Sequence, residues 1–171
     1  MSADLVSPSS DAFRDVLARL AGGVAVMATC TGSDAPIGVT VSALCSVSLE
    51  PPLVLTCLAH TASVYSAFRA CDSWGISLLS AEQSALSDRF AQRGGQDWDG
   101  VALHPSATGV PLLAGALGWI ECRRHARHEA GDHDIFVGHV LALALGTDAP
   151  ALIWYQRGYS RAVSLSSSMT R

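Results

Sequence analysis

Gly38-Val-Thr-Val-Ser-Ala-Leu-Cys-Ser-Val-Ser-Leu-Glu-Pro-Pro-Leu-Val-Leu55 reads as two apolar strands, 37–44 and 53–58, flanking a segment of small hydroxylated residues closed by Glu50-Pro51-Pro52. In an extended chain alternate residues share a face. Thr40, Ser42, Ser46 and Ser48 fall at even spacing, so one face is expected to carry four hydroxyls and the other Val39, Val41, Ala43 and Val47. Two readings stand: a serine- and threonine-rich strand partly exposed to water, or a polar surface of little bulk for a flat, phosphate-bearing ligand. The two prolines end the segment sharply and start the next strand in a fixed direction.

Upstream, 24–30 reads as a strand, preceded by a helix with Phe13, Val16, Leu17 and Leu20 at helical spacing and Gly22-Gly23 at its end. Downstream come a helix over 63–70 and a strand over 74–79. A further helix starts at the capping box Ser80-Ala-Glu-Gln83 and runs to about Phe90. Strands follow at 117–124 and 135–145, then a hairpin of 152–155 and 159–163 around Arg157-Gly158. Many strands at short intervals with a few short helices predict a mainly β chain, an antiparallel barrel with helical decoration. A doubly wound nucleotide fold would alternate strands and helices, and no G-x-G-x-x-G follows the first strand. The expected organisation is an N-terminal arm over 1–11, one domain over 12–163 and a disordered tail over 164–171.

Of 171 residues, 49% are apolar and 15% charged, which excludes general disorder and suggests surface covered by a partner subunit. The net charge of -4 argues against nucleic acid as a partner. No stretch approaches the roughly 20 apolar residues that span a bilayer, and the N-terminus lacks a secretory pattern. Five cysteines with no C-x-x-C read as buried reduced thiols, and a cytoplasmic location is expected. All eleven basic residues are arginine, so a lysine Schiff base and a P-loop lysine are excluded. A phosphate would be held by arginine, hydroxyls, amides or a helix start.

Three further places carry candidate chemistry. Ala59-His-Thr-Ala-Ser63 precedes a helix, where a hydroxyl either caps the helix or shares an anion with its free N–H groups. Arg123 to Asp134 is the densest polar patch; its histidines, His125, His128 and His133, match no strong metal-ligand spacing, and no metal is expected. Within it, Gly131-Asp-His133 precedes an apolar strand and places His133 at the mouth of the barrel. Trp154-Tyr-Gln-Arg-Gly-Tyr159 offers either hairpin packing or a wall for a planar ring with an arginine for phosphate.

In their order, these elements resemble the short-chain flavin reductase family, which supplies reduced flavin to two-component monooxygenases. The likeness runs from the opening stretch through Trp74-Gly-Ile-Ser-Leu-Leu-Ser80, Leu86-Ser-Asp-Arg-Phe-Ala91, Gly109-Val-Pro-Leu-Leu-Ala-Gly-Ala116, Gly131-Asp-His133, Phe136-Val-Gly-His-Val140 and Tyr155-Gln-Arg-Gly-Tyr159. It covers about residues 12 to 163. The resemblance implies an FMN-binding split barrel and a homodimer with flavin near the subunit interface. It implies FMN or FAD as flavin, NADH or NADPH as reductant, and a monooxygenase as recipient of the reduced flavin.

Carried over by position, Thr40, Val41, Ser42 and Ala43 would contact the flavin ring and ribityl chain, supported by Ser46 and Ser48. Cys57 and Leu58 would line the flavin, and Thr61, Ala62 and Ser63 would hold its phosphate. Arg89 and Phe90 would close over the ribityl or phosphate end. His133 would meet the nicotinamide nucleotide beside Tyr155, Arg157, Gly158 and Tyr159. Val41 stands where many members have alanine, and the 59–63 loop has no lysine. The same fold leaves two alternatives: a flavoprotein that keeps its flavin and acts on an organic substrate, or a non-enzymatic flavin or haem carrier.

Overall fold

The computed structural model describes residues 5, 7–32, 35–92 and 97–164. The expected tail therefore lies, beyond Ser164, outside the described residues, as do residues 1–4 and 6 of the expected arm. The opening stretch dictates the architecture. It forms β3 (Pro36–Val41), the two-residue link Ser42-Ala43, β4 (Leu44–Leu49) and β5 (Pro52–Ala59). With β2 (Ala25–Cys30), β6 (Ser73–Leu78), β7 (Gly118–Ala130) and β8 (His133–Leu145), these make a seven-stranded antiparallel sheet in the order β3-β2-β6-β7-β8-β5-β4. β3 and β4 are thus consecutive in the chain yet sit at opposite edges. Laid flat, seven strands would hold those edges about 29 Å apart, whereas three peptide units span at most about 11 Å. The sheet must roll into a barrel, and the Cys57 amide, which donates to the Ala43 carbonyl at 3.2 Å, ties the closing link to β5.

A second sheet, β1 (Gly22–Gly23), β9 (Leu152–Tyr155) and β10 (Gly158–Arg161), lies beside the barrel. Three helices complete the described chain: α1 (Ser10–Leu17), α2 (Tyr65–Ala70) and α3 (Ser84–Ala91), the last entered through a 3-10 turn at Ala81–Gln83. The capping box is formed as expected, with the Ser80 amide donating to Gln83 Oε1 at 3.1 Å. α1 starts inside the expected arm because Ser9 Oγ accepts the Ala12 amide at 3.1 Å and caps it.

β2 is apolar without alternation because both its faces are covered. Ala25 and Met27 point into the barrel with Val41, Leu58, Phe68, Trp74 and Phe136. Val24, Val26 and Ala28 face a second core with Leu79, Phe90, Leu113 and Leu152 under α3.

Glu121 is buried at 4% exposure and pins the loop before β7 by accepting from the amides of Ala107 and Thr108, each at 2.8 Å, and from the Thr108 hydroxyl. Burial pushes its carboxyl up, but these hydrogen bonds outweigh it and hold it below the ordinary range. Stability from such a group is complete above its unfolded pKa of about 4.3 and is lost as pH falls through the lower folded value. Glu121→Gln is therefore expected to cost about 1.5–3 kcal/mol at pH 7, and the deficit is expected to shrink in acid. Urea unfolding at pH 7 and in acid checks both; an equal deficit at the two would refute the assignment.

The thiols correct one expectation. All five cysteines are free, but only Cys122 is buried, its thiol pushed up to about 12 by burial and by Glu121. Cys45 is exposed and the others are half-buried.

Candidate functional site

The hydroxyls do not share one face. β3 ends at Val41, whose side chain is buried in the barrel, and Thr40 turns to the opposite side, where its Oγ1 donates to the Ser87 carbonyl of α3 at 2.7 Å. Ser46 pairs with Val54 and Ser48 with Leu53, because a bulge between them inserts Val47 as an extra residue. Val54 and Leu53 point to opposite faces, so the bulge sends Ser46 and Ser48 to opposite faces as well. The Ser48 hydroxyl accepts the Glu50 amide at 3.2 Å and so serves the β4–β5 turn.

Where the chain crosses between the barrel edges, the link Ser42-Ala43 is exposed and lines a groove of about 640 Å³. The opposite walls are Phe13 and Leu17 from α1, Leu20 from the turn after it, the backbone of Gly22-Gly23, Trp154 and Arg157. An adjoining cavity of about 210 Å³ runs from Ser42 and Thr40 to Ser87, Trp154 and Tyr159. The Tyr159 hydroxyl lies 2.8 Å from Ser87 Oγ and 2.9 Å from Asp88 Oδ1, which fixes β10 on α3. Burial and the Asp88 carboxylate outweigh the Ser87 bond and raise the Tyr159 hydroxyl above its ordinary value. Trp154 packs edge-on against Tyr159 with ring centroids 5.1 Å apart. The indole and the side-chain-poor link leave a slot suited to a flat ring, so the residues present fit the flavin that the resemblance implies.

Ala43 leads across its bond with Cys57 to the second half of the site. Cys57, Ala59, His133 and Ile135 share the outer face of the sheet, since Cys57 pairs with Ile135 and Ala59 with His133. Cys57 to Ala59 is a step of about 7 Å along β5. The loop of Thr61, Ala62 and Ser63 follows, with Thr61 and Ser63 exposed. α2 is capped at Val64 with no side-chain hydrogen bond, so the capping role open to Ser63 is not realised. The loop rests on the β7–β8 turn, where the His60 amide donates to the Asp132 carbonyl at 2.9 Å. That turn needs Gly131 at φ +68°, a left-handed conformation that glycine adopts freely. His133 Nδ1–H donates to Asp132 Oδ1 at 2.7 Å, and this bond lowers the Asp132 carboxyl below its ordinary value.

Several expected side chains face elsewhere. Phe90 is 1% exposed and packs on Trp98, so its ring is a core ring and cannot close over a ligand. Leu58 and Val41 are likewise buried in the barrel and offer a ligand only backbone. Arg89 donates to the Asp99 carbonyl at 3.1 Å and holds a loop. Arg157, by contrast, does line the groove, with its guanidinium paired to Asp15 of α1, and the Gln156 amide donates to the Ala18 carbonyl at 2.7 Å, so the β9–β10 turn is tied to α1. The residues at positive φ in that turn are Gln156 and Arg157, and Gly158 opens β10. Tyr155 alternates with Trp154 and points away from the groove, so Trp154 is the ring beside Ser42.

Sequence reasoning passed over Ser87 and the buried Asp134. The signal for Asp134 was an acid directly ahead of the apolar run Ile135-Phe-Val137.

Comparison with known proteins identifies the family and agrees with the fold. Residues 17–162 match the family described as flavin reductase like domain. The FMN reductase (NADH) SmoA of Agrobacterium fabrum is 44% identical over 136 residues, covering 80% of this chain and 77% of its own. The reductase component of 4-hydroxyphenylacetate 3-monooxygenase from Thermus thermophilus is 39% identical over 153 residues, covering 90% and 97%. The structure of the Streptomyces globisporus NADH:FAD oxidoreductase SgcE6 in complex with NAD and FAD fragments superposes with a TM-score of 0.88 at 30% identity, covering 96% of this chain and 100% of that one. With the rolled barrel, the slot at Ser42-Ala43 and a match over most of its length, the chain belongs to the flavin reductase-like family.

Proposed function

We propose that the chain is an NAD(P)H-dependent flavin reductase that hands reduced FMN or FAD to a separate monooxygenase, with NADH as the preferred donor. The observation that carries this reading is the open slot between Ser42-Ala43 and Trp154, joined through Cys57 to the outer face that bears His133. The two nucleotides bring the chemistry themselves, hydride passing from nicotinamide C4 to flavin N5. The chain's task is to keep two rings in contact at about 3–3.5 Å. In this reading the amides and hydroxyls of 40–43 hold the flavin ring, and the Thr61–Ser63 loop takes its phosphate. His133 orients the nicotinamide nucleotide, and the exposed Asp132 carboxylate beside it disfavours an added phosphate.

The reading includes a homodimer. Leu53, Leu55, Val137 and Leu141 lie along the outer face of β5 and β8, and Leu49, Leu143 and Leu145 are exposed beyond it. An apolar face of this extent against water calls for a partner, and a second copy would bring its own apolar face to it. Light scattering is expected to return the mass of two chains. No helix among the described residues is long and apolar enough to cross a membrane.

Stopped-flow absorbance at the flavin band tests the activity. Mixing protein, FMN or FAD, and NADH is expected to bleach the flavin over many turnovers, more slowly with NADPH. No bleaching with any pairing would sink the reading. A single turnover of a flavin that never leaves would favour a flavoprotein acting directly on an organic substrate.

A further inference from the structure

Asp134 carries a charge where the barrel would otherwise bury an apolar group. Its side chain is fully buried, and it sits one residue past His133 and opposite Leu58 of β5. A buried carboxylate is tolerated only if hydrogen bonds replace the water it has lost. Here three side chains do so. His60 Nε2–H donates to Oδ1 at 2.9 Å, the Tyr65 hydroxyl donates to Oδ2 at 2.7 Å, and the Arg127 guanidinium donates to the same Oδ2. These donors come from the loop after β5, the first residue of α2, and β7.

The electrostatics agree with this geometry. Burial pushes the Asp134 carboxyl up, but the bonds from Tyr65, His60 and Arg127 outweigh it and hold it well below the usual carboxylate range. The bond to Asp134 in turn raises the Tyr65 hydroxyl. The rings of His60 and Tyr65 lie 5.0 Å apart between centroids, so the two donors also pack on each other.

The consequence concerns what lies on either side. Thr61, Ala62 and Ser63 run between His60 and Tyr65, both fastened to Asp134. His133 precedes Asp134 directly, and the His60 amide adds a fourth tie to the Asp132 carbonyl. The geometry points to Asp134 as a positioning residue that locks the Thr61–Ser63 loop and His133 into one unit, so that flavin phosphate and nicotinamide nucleotide are bound in a fixed relation. Charge-assisted bonds from three separate elements give that unit a stiffness that backbone pairing at a strand end does not supply. Arg127 is consumed by this task, so its charge is committed to the lock.

This inference rests on the flavin-reductase reading, and the test separates the two. Asp134→Asn, Tyr65→Phe and His60→Gln are compared with the wild type for FMN affinity by fluorescence quenching, for the KM of NADH, for kcat, and for amide hydrogen exchange over 60–65. Thermal melts check folding. In Asp134→Asn the FMN Kd and the KM for NADH are expected to rise together by about tenfold, the scale of one charge-assisted hydrogen bond, with kcat changed less than threefold. Tyr65→Phe, which keeps the Asp134–Arg127 pair, is expected to show the same joint rise at a smaller size and a near-native melt, with faster exchange over 60–65. If Asp134→Asn fails to fold, Tyr65→Phe and His60→Gln decide. Folded Tyr65→Phe and His60→Gln proteins with wild-type Kd and KM would overturn the proposal, as would a fall in kcat alone. A wild type that binds FMN but reduces none refutes the reductase reading; FMN affinity and exchange then decide whether Asp134 holds the loop.

Discussion

Gly138→Val is expected to leave no cooperatively folded barrel at room temperature. Gly138 lies on β8 between Val54 of β5 and Arg124 of β7, in the middle of the seven-stranded sheet. A Cβ there would stand 2.8 Å from Trp74 Cζ2 and 2.8 Å from Cys122 Cβ, both buried. Carbon atoms pack at about 3.5–4.0 Å, so the new atom meets two neighbours inside their contact radius. Neither neighbour can yield, since Trp74 is wedged edge-on against Phe136 and Cys122 is held in the β7 ladder. Overpacking by one methyl typically costs 1–3 kcal/mol, sometimes more; the two further methyls of valine approach the roughly 5–15 kcal/mol that hold a domain together. Gly138→Ala should therefore fold with a clearly lower melting temperature and Gly138→Val should not fold. Gly23→Ala, whose Cβ would meet nothing within 4 Å, should melt like the wild type. Urea or thermal unfolding of the three variants settles the matter, and a native-like melt for Gly138→Val would refute the packing argument.

His133→Ala is expected to cripple use of the nicotinamide nucleotide while sparing the flavin. The imidazole is half-exposed at the start of β8, on the outer face, and its Nδ1–H is occupied by Asp132, so Nε2 is left to face a ligand. Removing it deletes one polar contact and one ring surface from the nucleotide without touching the barrel. The KM for NADH should rise at least about tenfold, the value of one well-placed contact, and the FMN Kd should stay within about twofold. Steady-state kinetics with flavin quenching reads both. Equal loss of the two affinities, or no loss, would remove His133 from this role. Asp134 differs: loss of the His133 ring frees one ligand, whereas loss of the lock loosens two.

Local features of the chain were legible as they stand. The capping box at Ser80 and Gln83 closes within one turn, so its spacing alone announces the 3-10 turn that leads into α3. The apolar run from Val24 to Ala28 announces the strand β2. The hydroxyl-rich link pointed to the crossing where the groove now lies. Features that depend on a distant partner were not legible. Phe90 and Leu58 stand in motifs associated with flavin, yet contacts with Trp98 and with the barrel core turn their side chains inward. The hydroxyl face was lost twice, at the Ser42-Ala43 link, which carries the chain between opposite sheet edges, and at the inserted residue Val47, which only the pairing with β5 reveals. The helical spacing of Phe13, Val16 and Leu17 was read correctly, but α1 stops at Leu17 and leaves Leu20 in the turn beyond it, and nothing in the spacing said that these residues would wall a groove.

The amino-acid sequence by itself determined the order of strand-forming segments, the hydroxylated link between them and membership of the family, because period, capping and motif act over a few residues. Only the tertiary structure decided which side chains meet. The Asp134 lock joins residues up to 74 positions apart, and Thr40 reaches Ser87 across 47. Such contacts depend on strand register, and shifting the register by one residue turns every side chain of a strand to the other face.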